Sequence, residues 1–260
     1  MQTTDAPETV LGTKFSDLIR AGGGDDIIKA GVGNDVIDGG YGNDEMYGGL
    51  GNDTYLFNSP GDKAIELPNQ GIDTISSSVS ISTLPLNVEN ATLTGYGWNN
   101  LIGSTAWNVL TGNSGNNTLS GALGNDTLIG KLGKDTLTGG GGLDKMVLET
   151  LADSGVAFST RDVINTFAHG DKIDVSPIDA NNTVAGNQPF TFVDHFGHAA
   201  GQLQWDLTGI STTGVKGYLV QGDVNGDGAA DFSLQIYTAP TAHLPGGPNA
   251  WHLAAFDFVL

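Results

Sequence analysis

Ala30-Gly-Val-Gly-Asn-Asp-Val-Ile-Asp38, Gly39-Gly-Tyr-Gly-Asn-Asp-Glu-Met-Tyr47 and Gly48-Gly-Leu-Gly-Asn-Asp-Thr-Tyr-Leu56 are consecutive copies of one nine-residue unit, G-G-x-G-x-D-x-U-x, in which U is apolar. The register runs over residues 12–56 and again over 94–147. Its sixth slot reads Asp17, Asp26, Asp35, Asp44, Asp53, then Asn99, Asn108, Asn117, Asp126, Asp135, Asp144. Its eighth slot reads Ile19, Ile28, Ile37, Met46, Tyr55, then Leu101, Leu110, Leu119, Leu128, Leu137, Met146. A period this short, held over so many units, signals a solenoid in which each unit buries its apolar residue only by stacking on neighbours.

Within a unit the first six residues form a turn, because glycine supplies the positive φ that a tight turn needs. The last three form a short strand with one side chain inward and two outward. Two units then complete one coil, so each unit stacks on the next but one. Asp17 is expected over Asp35, Asp26 over Asp44, Asp35 over Asp53, Asp126 over Asp144 and Asn117 over Asp135. Stacked strands lie about 4.8 Å apart. Two carboxylates at that spacing repel by roughly 1 kcal/mol in water and several times more at an effective dielectric near 20. Several such pairs would offset much of a typical stability of about 5–15 kcal/mol. A hard cation reverses the sign. Carboxylates joined by turn carbonyls form the loosely shaped all-oxygen site that suits Ca²⁺ better than Mg²⁺. The turn glycines at these candidate sites are Gly22, Gly24, Gly31, Gly33, Gly40, Gly42, Gly49, Gly51, Gly124, Gly133 and Gly142.

These units resemble the RTX, or haemolysin-type, calcium-binding nonapeptide. The resemblance implies a parallel β-roll with several Ca²⁺ ions held between successive coils. Asn99, Asn108 and Asn117 depart from the family's aspartate. That stretch is expected to close its turns by amide hydrogen bonds with little or no metal, leaving residues 12–56 the more calcium-loaded half.

Composition narrows the function. Glycine accounts for 40 of 260 residues, about twice the usual roughly 7 %. Acidic residues number 29 against 10 basic ones, for a net charge of −19. Such a balance argues against nucleic acid and anionic membrane as partners and favours cations. Cysteine is absent, so there is no disulfide framework or thiolate metal site. The first residues lack the basic-then-apolar pattern of a secretory signal peptide. No apolar run approaches the roughly 20 residues of a membrane span.

The expected fold is all-β: a parallel β-roll in two arrays followed by an antiparallel, β-sandwich-like cap. Residues 1–56 form the first array with its N-terminal cap, 57–93 a β-rich insertion packed between or beside the arrays, 94–147 the second array and 148–260 the C-terminal region. Segments 161–179, 188–193, 200–205 and 220–235 resemble the part that follows the roll in serralysin-type secreted proteases. Asp223-Val-Asn225-Gly-Asp227-Gly228-Ala-Ala-Asp231 places oxygen ligands at alternate positions and is a second candidate cation loop. The alternative is a polar hairpin turn without an ion. Asp257-Phe-Val-Leu260 resembles the C-terminus of proteins exported by type I secretion in Gram-negative bacteria. A final edge strand is its plainer reading, and its deletion is expected to impair export while sparing folding.

No catalytic pattern emerges. H-E-x-x-H and G-x-S-x-G are absent, as is any cysteine nucleophile. His195 and His198 read as surface or packing residues, and so do His169, His243 and His252. Trp98, Trp107, Trp205 and Trp251 suit core packing or capping better than sugar stacking. The expected function is a non-catalytic, monomeric calcium-binding module, secreted to the extracellular space. It would fold on meeting external Ca²⁺ and engage a type I secretion apparatus through its C-terminus. It would be either the C-terminal part of a secreted enzyme or a small secreted protein. The alternative is an extracellular polysaccharide-binding module of the kind carried by alginate epimerases.

Overall fold

The structure, a computed structural model, describes residues 6–211, 214–239 and 253–260. Trp251, His243 and His252 lie outside the described residues. The described chain is all-β apart from two short 3₁₀ turns, Leu151–Asp153 and Ala255–Asp257.

One face of a solenoid runs unbroken through a ten-stranded sheet: Leu18–Gly23, Val36–Tyr41, Thr54–Phe57, Thr74–Ser77, Asn90–Leu93, Val109–Thr111, Thr127–Ile129, Lys145–Val147, Lys172–Asp174 and Phe258–Val259. The opposite face is divided. A four-stranded sheet carries Thr9–Leu11, Ile27–Val32, Glu45–Leu50 and Lys63–Ile65. An eight-stranded sheet begins with Asn100–Ile102, Thr118–Leu123, Thr136–Gly141 and Asp162–Phe167. It continues through Phe232–Thr238, Lys216–Asp223, Gln202–Ile210 and Thr191–Phe192. Pairing in the roll is parallel, and Ile19 faces Ile37, Ile28 faces Met46, Leu110 faces Leu128 and Leu119 faces Leu137. Each unit therefore stacks on the next but one, as the two-unit coil requires. Every eighth-slot residue is buried, so the apolar side chains form one continuous column between the faces.

Residues 57–93 lie within the roll. Thr74–Ser77 and Asn90–Leu93 are adjacent strands of the unbroken face, and Ile81 bridges to Leu101 on the other. They build coils without the nine-residue motif, burying Ile75, Ile81, Leu84 and Ala91 in place of the eighth-slot residues.

The C-terminal region extends the roll's second face. Asp162–Phe167 pairs in parallel with Phe232–Thr238, and Lys216–Asp223 and Gln202–Ile210 then follow antiparallel. Phe258–Val259 adds the last parallel strand of the ten-stranded sheet. Phe258 stacks on Trp205 with ring centroids 5.7 Å apart, and Phe192 meets both rings edge-on. Asp257 is fully buried. Removing 257–260 therefore strips packing from the cap, and the expectation that folding would be spared is revised. Trp205 packs as expected, whereas Trp98 and Trp107 do not: they are 77 % and 52 % exposed on turns outside the apolar column.

Candidate metal centre

Each sixth-slot side chain sits at the end of a turn, immediately before the strand that carries the buried apolar residue. The acidic ones form ladders along the roll edge. The Asp17 N–H donates to Asp35 Oδ1 at 2.7 Å, and the Asp35 N–H to Asp53 Oδ1 at 2.7 Å. The other edge repeats this from Asp26 to Asp44 at 2.8 Å. In the second array Asn108 donates to Asp126, Asn117 to Asp135 and Asp126 to Asp144, each 18 residues on. One carboxylate oxygen of each acid is thus spent on the coil before it.

The second oxygen has a different fate. Oδ2 of Asp26, Asp35, Asp44, Asp53, Asp73, Asp126, Asp135 and Asp144 is buried with no hydrogen-bond partner. An orphaned buried acceptor costs about 1–3 kcal/mol, and more when charged. Eight of them reach on the order of 10 kcal/mol, comparable with a whole domain's stability. Burial accordingly pushes these carboxyl groups up: to about 6 for Asp44 and Asp73, about 7 for Asp126 and about 8 for Asp135, against the opposing pull of the backbone N–H.

The backbone explains which oxygens are orphaned. Four residues before each of these eight aspartates φ is positive: Gly22, Gly31, Gly40, Gly49, Asn69, Ala122, Lys131 and Gly140. In that conformation no N–H of the turn reaches Oδ2, and the turn stays open toward the carboxylate. Where the same position has no positive φ, the turn closes. The Thr13 N–H donates to Asp17 Oδ2 at 2.6 Å, the Ser104 N–H to Asn108 Oδ1 at 2.7 Å and the Asn113 N–H to Asn117 Oδ1 at 2.8 Å. Asn108 Nδ2 then donates to the carbonyls of Val88 and Glu89, and Asn117 Nδ2 to those of Asn99 and Gly97. The amide satisfies both its own turn and the preceding coil.

In five of the eight open units a glycine completes the cradle, whereas Ala21, Ala30 and Pro68 hold that slot before Asp26, Asp35 and Asp73. A Cβ on Gly39, Gly48, Gly121, Gly130 or Gly139 would overlap Oδ2 of its own unit's aspartate. At Gly40 and Gly42, with φ of 92° and 140°, a Cβ would also overlap the carbonyls of Gly22 and Gly24 one coil below. The donor set is therefore an unpartnered carboxylate oxygen beside stacked backbone carbonyls, all hard oxygens, and it fits Ca²⁺.

Several acids share the ladder outside the full nine-residue motif, Asp62 still in register nine residues after Asp53 and the others out of it. Asp44 N–H donates to Asp62 Oδ1, Asp53 to Asp73, Asp135 to Asp162 and Asp144 to Asp171. Each belongs to a bare D-x-U triplet (Asp62-Lys-Ala64, Asp73-Thr-Ile75, Asp162-Val-Ile164, Asp171-Lys-Ile173) at offsets of 18, 20, 27 and 27 residues. Asp62 and Asp171 are closed, their Oδ2 taken by the N–H groups of Asn58, Ser59 and Ala168.

The 223–231 loop lies between the antiparallel strands Lys216–Asp223 and Phe232–Thr238. Most of the side-chain oxygens of its four Asp and Asn residues accept hydrogen bonds from the loop itself. Asp223 accepts from Gly226 and Gly228, Asn225 from Asp227, Asp227 from Ala229, and Asp231 from Val224 and Asn225. His195 and His198 are exposed, and His198 Nδ1 lies 2.8 Å from the Asp227 carbonyl oxygen.

Comparison with known families agrees with this geometry. Residues 3–36, 20–55, 93–128 and 120–150 match the RTX calcium-binding nonapeptide repeat. The chain thus carries RTX calcium-binding repeats over both stretches where the register is regular. A search of the curated proteins returned no match.

Proposed function

We propose that this chain is a non-catalytic module that folds on binding Ca²⁺ outside the cell, within a protein exported by type I secretion. The observation that carries the reading is the row of eight buried carboxylate oxygens without a partner, each four residues after a backbone position of positive φ. A roll built this way is poorly stable alone. Each Ca²⁺ site filled at tenfold its dissociation constant adds about 1.4 kcal/mol. Extracellular modules bind Ca²⁺ at roughly 10⁻⁴–10⁻³ M, so millimolar Ca²⁺ folds such a roll and low cytosolic Ca²⁺ leaves it unfolded. An unfolded chain suits a narrow export channel. The export assignment rests on the repeats and on the resemblance of Asp257–Leu260 to type I signals. No helix among the described residues is long and apolar enough to cross a membrane.

Circular dichroism of the full chain through a Ca²⁺ titration tests the folding half. A coil-to-β transition at about 0.1–1 mM is expected, and an unchanged spectrum on chelation would refute it. Transport of the chain by cells with and without a type I apparatus tests the export half.

The exposure of Tyr96, Trp98 and Trp107 favours a second reading, binding of an extracellular polysaccharide through aromatic stacking. A glycan array probed with the calcium-folded protein decides it.

A further inference from the structure

Where the four-stranded sheet ends, the roll gathers acids beyond its repeat. Glu66 directly follows the last strand of that sheet, Lys63–Ile65, while Asp53 and Asp73 precede Thr54–Phe57 and Thr74–Ser77 on the unbroken face. All three are buried, at 1 % exposure for Asp53 and Asp73 and 7 % for Glu66. Each offers a carboxylate oxygen within 4.8 Å of those of the other two. Oxygens that close can share one ion at the metal–oxygen distance of about 2.3–2.6 Å that Ca²⁺ takes.

Their remaining bonds show that this is more than acidic crowding. Asp53 Oδ1 is held by the Asp35 N–H and Asp73 Oδ1 by the Asp53 N–H. Glu66 Oε1 accepts a hydrogen bond from the Tyr55 hydroxyl, which itself accepts the Gly48 N–H at 2.8 Å. Asp53 Oδ2, Asp73 Oδ2 and Glu66 Oε2 are left buried with no partner. Asp53 Oδ2, the Tyr55 hydroxyl and Glu66 Oε1 converge above Gly48, where any Cβ would overlap them. No basic side chain answers the charge: the four ion pairs among the described residues are Arg20–Asp38, Lys63–Glu45, Lys131–Glu149 and Lys145–Asp174.

We propose that Asp53, Glu66 and Asp73 form a three-carboxylate Ca²⁺ site, with Tyr55 positioning Glu66. It differs from the repeat sites because Glu66 enters from the opposite face and from outside the nine-residue register. One ion there ties the end of the four-stranded sheet to the coils that continue past it. The proposal rests on the calcium reading above and adds to it a ligand that the repeat pattern does not contain.

Native mass spectrometry of the full chain in fixed CaCl₂ tests it. Glu66→Gln is expected to bind one Ca²⁺ fewer than wild type, while Asp126→Asn loses its ion from the other half and keeps this one. An unchanged ion count in Glu66→Gln overturns the proposal and leaves the repeat sites standing. A wild-type chain that binds no Ca²⁺ at all overturns the calcium reading itself. Crystals of the wild-type chain grown with Tb³⁺ give a second readout that does not depend on a variant's folding. An anomalous peak bonded to all three carboxylates supports the site, and peaks at the repeat turns with none here overturn it.

Discussion

The open turns at Asp26, Asp35, Asp44 and Asp53 and the closed turns at Asn108 and Asn117 occupy the same coil geometry and solve the same problem differently. Both must satisfy a polar side chain buried beside stacked carbonyls. The closed turn does so internally: the N–H four residues earlier donates to the amide oxygen, and the amide nitrogen donates to the preceding coil. The open turn gives up that N–H through a positive φ and leaves a carboxylate oxygen unpartnered. Asn69, Ala122 and Lys131 adopt this conformation without being glycine, at φ of 64°, 75° and 67°. A side chain in the left-handed region costs roughly 1–2 kcal/mol, a strain that persists where it serves a site. The contrast teaches that turn conformation, as much as the acid itself, separates a self-sufficient rung from one that needs a cation.

Removing Ca²⁺ should have the largest effect. With eight orphaned oxygens on the order of 10 kcal/mol is at stake, so chelation is expected to abolish most β-structure seen by circular dichroism. A fully folded chelated chain would show that the open turns are satisfied without metal.

Acidity should partly replace the ion. Burial raises the carboxyl groups of the open turns above their unfolded value of 3.8, to about 6 at Asp44 and about 8 at Asp135. Groups raised in this way favour the folded state below their unfolded value, and that contribution is lost as pH rises through the folded values. In chelator the melting temperature is therefore expected to fall between pH 5 and pH 8. In saturating Ca²⁺, which needs the ionised form, the fall should flatten or reverse. A chelated chain more stable at pH 8 than at pH 5 would contradict the burial of these groups.

Substitution at one closed rung sharpens the comparison. Asn117→Asp turns an oxygen toward the carbonyls of Gly97 and Asn99 and should cost about 3 kcal/mol in urea unfolding. Ca²⁺ should rescue it little while the Asn113 N–H keeps the turn closed. Adding Asn113→Gly, to free the turn, should restore a calcium-dependent gain. Full rescue of the single variant would show that the acid alone decides.

The smallest effect compares two acids of one ladder. Asp35 serves the coils on both sides, whereas Asp17 is half-exposed and capped by Thr13. Asp35→Ala should lose about 1–2 kcal/mol more in Ca²⁺ than Asp17→Ala, and equal losses would contradict the stacking order.

Much of this was legible because the nine-residue register ties three facts together: a glycine turn, an acid before a strand and one buried apolar residue. That register predicts the roll, the next-but-one stacking and the separate character of Asn108 and Asn117, but not that of Asn99, which follows a positive φ at Gly95 and donates to the Ser78 carbonyl without the closing N–H of the other two. It does not reach Asp73, Asp162 or Asp171, whose longer approach loops leave only D-x-U, a triplet too common to stand out, while Asp62 keeps the nine-residue spacing from Asp53 but has Phe57, Asn58 and Pro60 where the motif has glycine. Glu66 carries no motif and enters the site only because two sheets meet there. Nor does the sixth slot alone separate Asp17 from Asp35. The difference lies in the residue four places earlier, Thr13 against Gly31, a signal present in the sequence but meaningful only once the turn geometry is known. Trp98 and Trp107 read as packing residues because apolar bulk usually buries, yet both occupy the fifth, outward slot of their turns.

Residue-resolved hydrogen exchange on the full chain, in Ca²⁺ and then through stepwise chelation, tests the central claim most directly. The amides of Ile28, Ile37, Met46 and Tyr55 are predicted to lose protection at higher free Ca²⁺ than those of Leu110 and Leu119, which follow closed turns. Simultaneous loss across all six, or earlier loss at Leu110 and Leu119, would contradict the account.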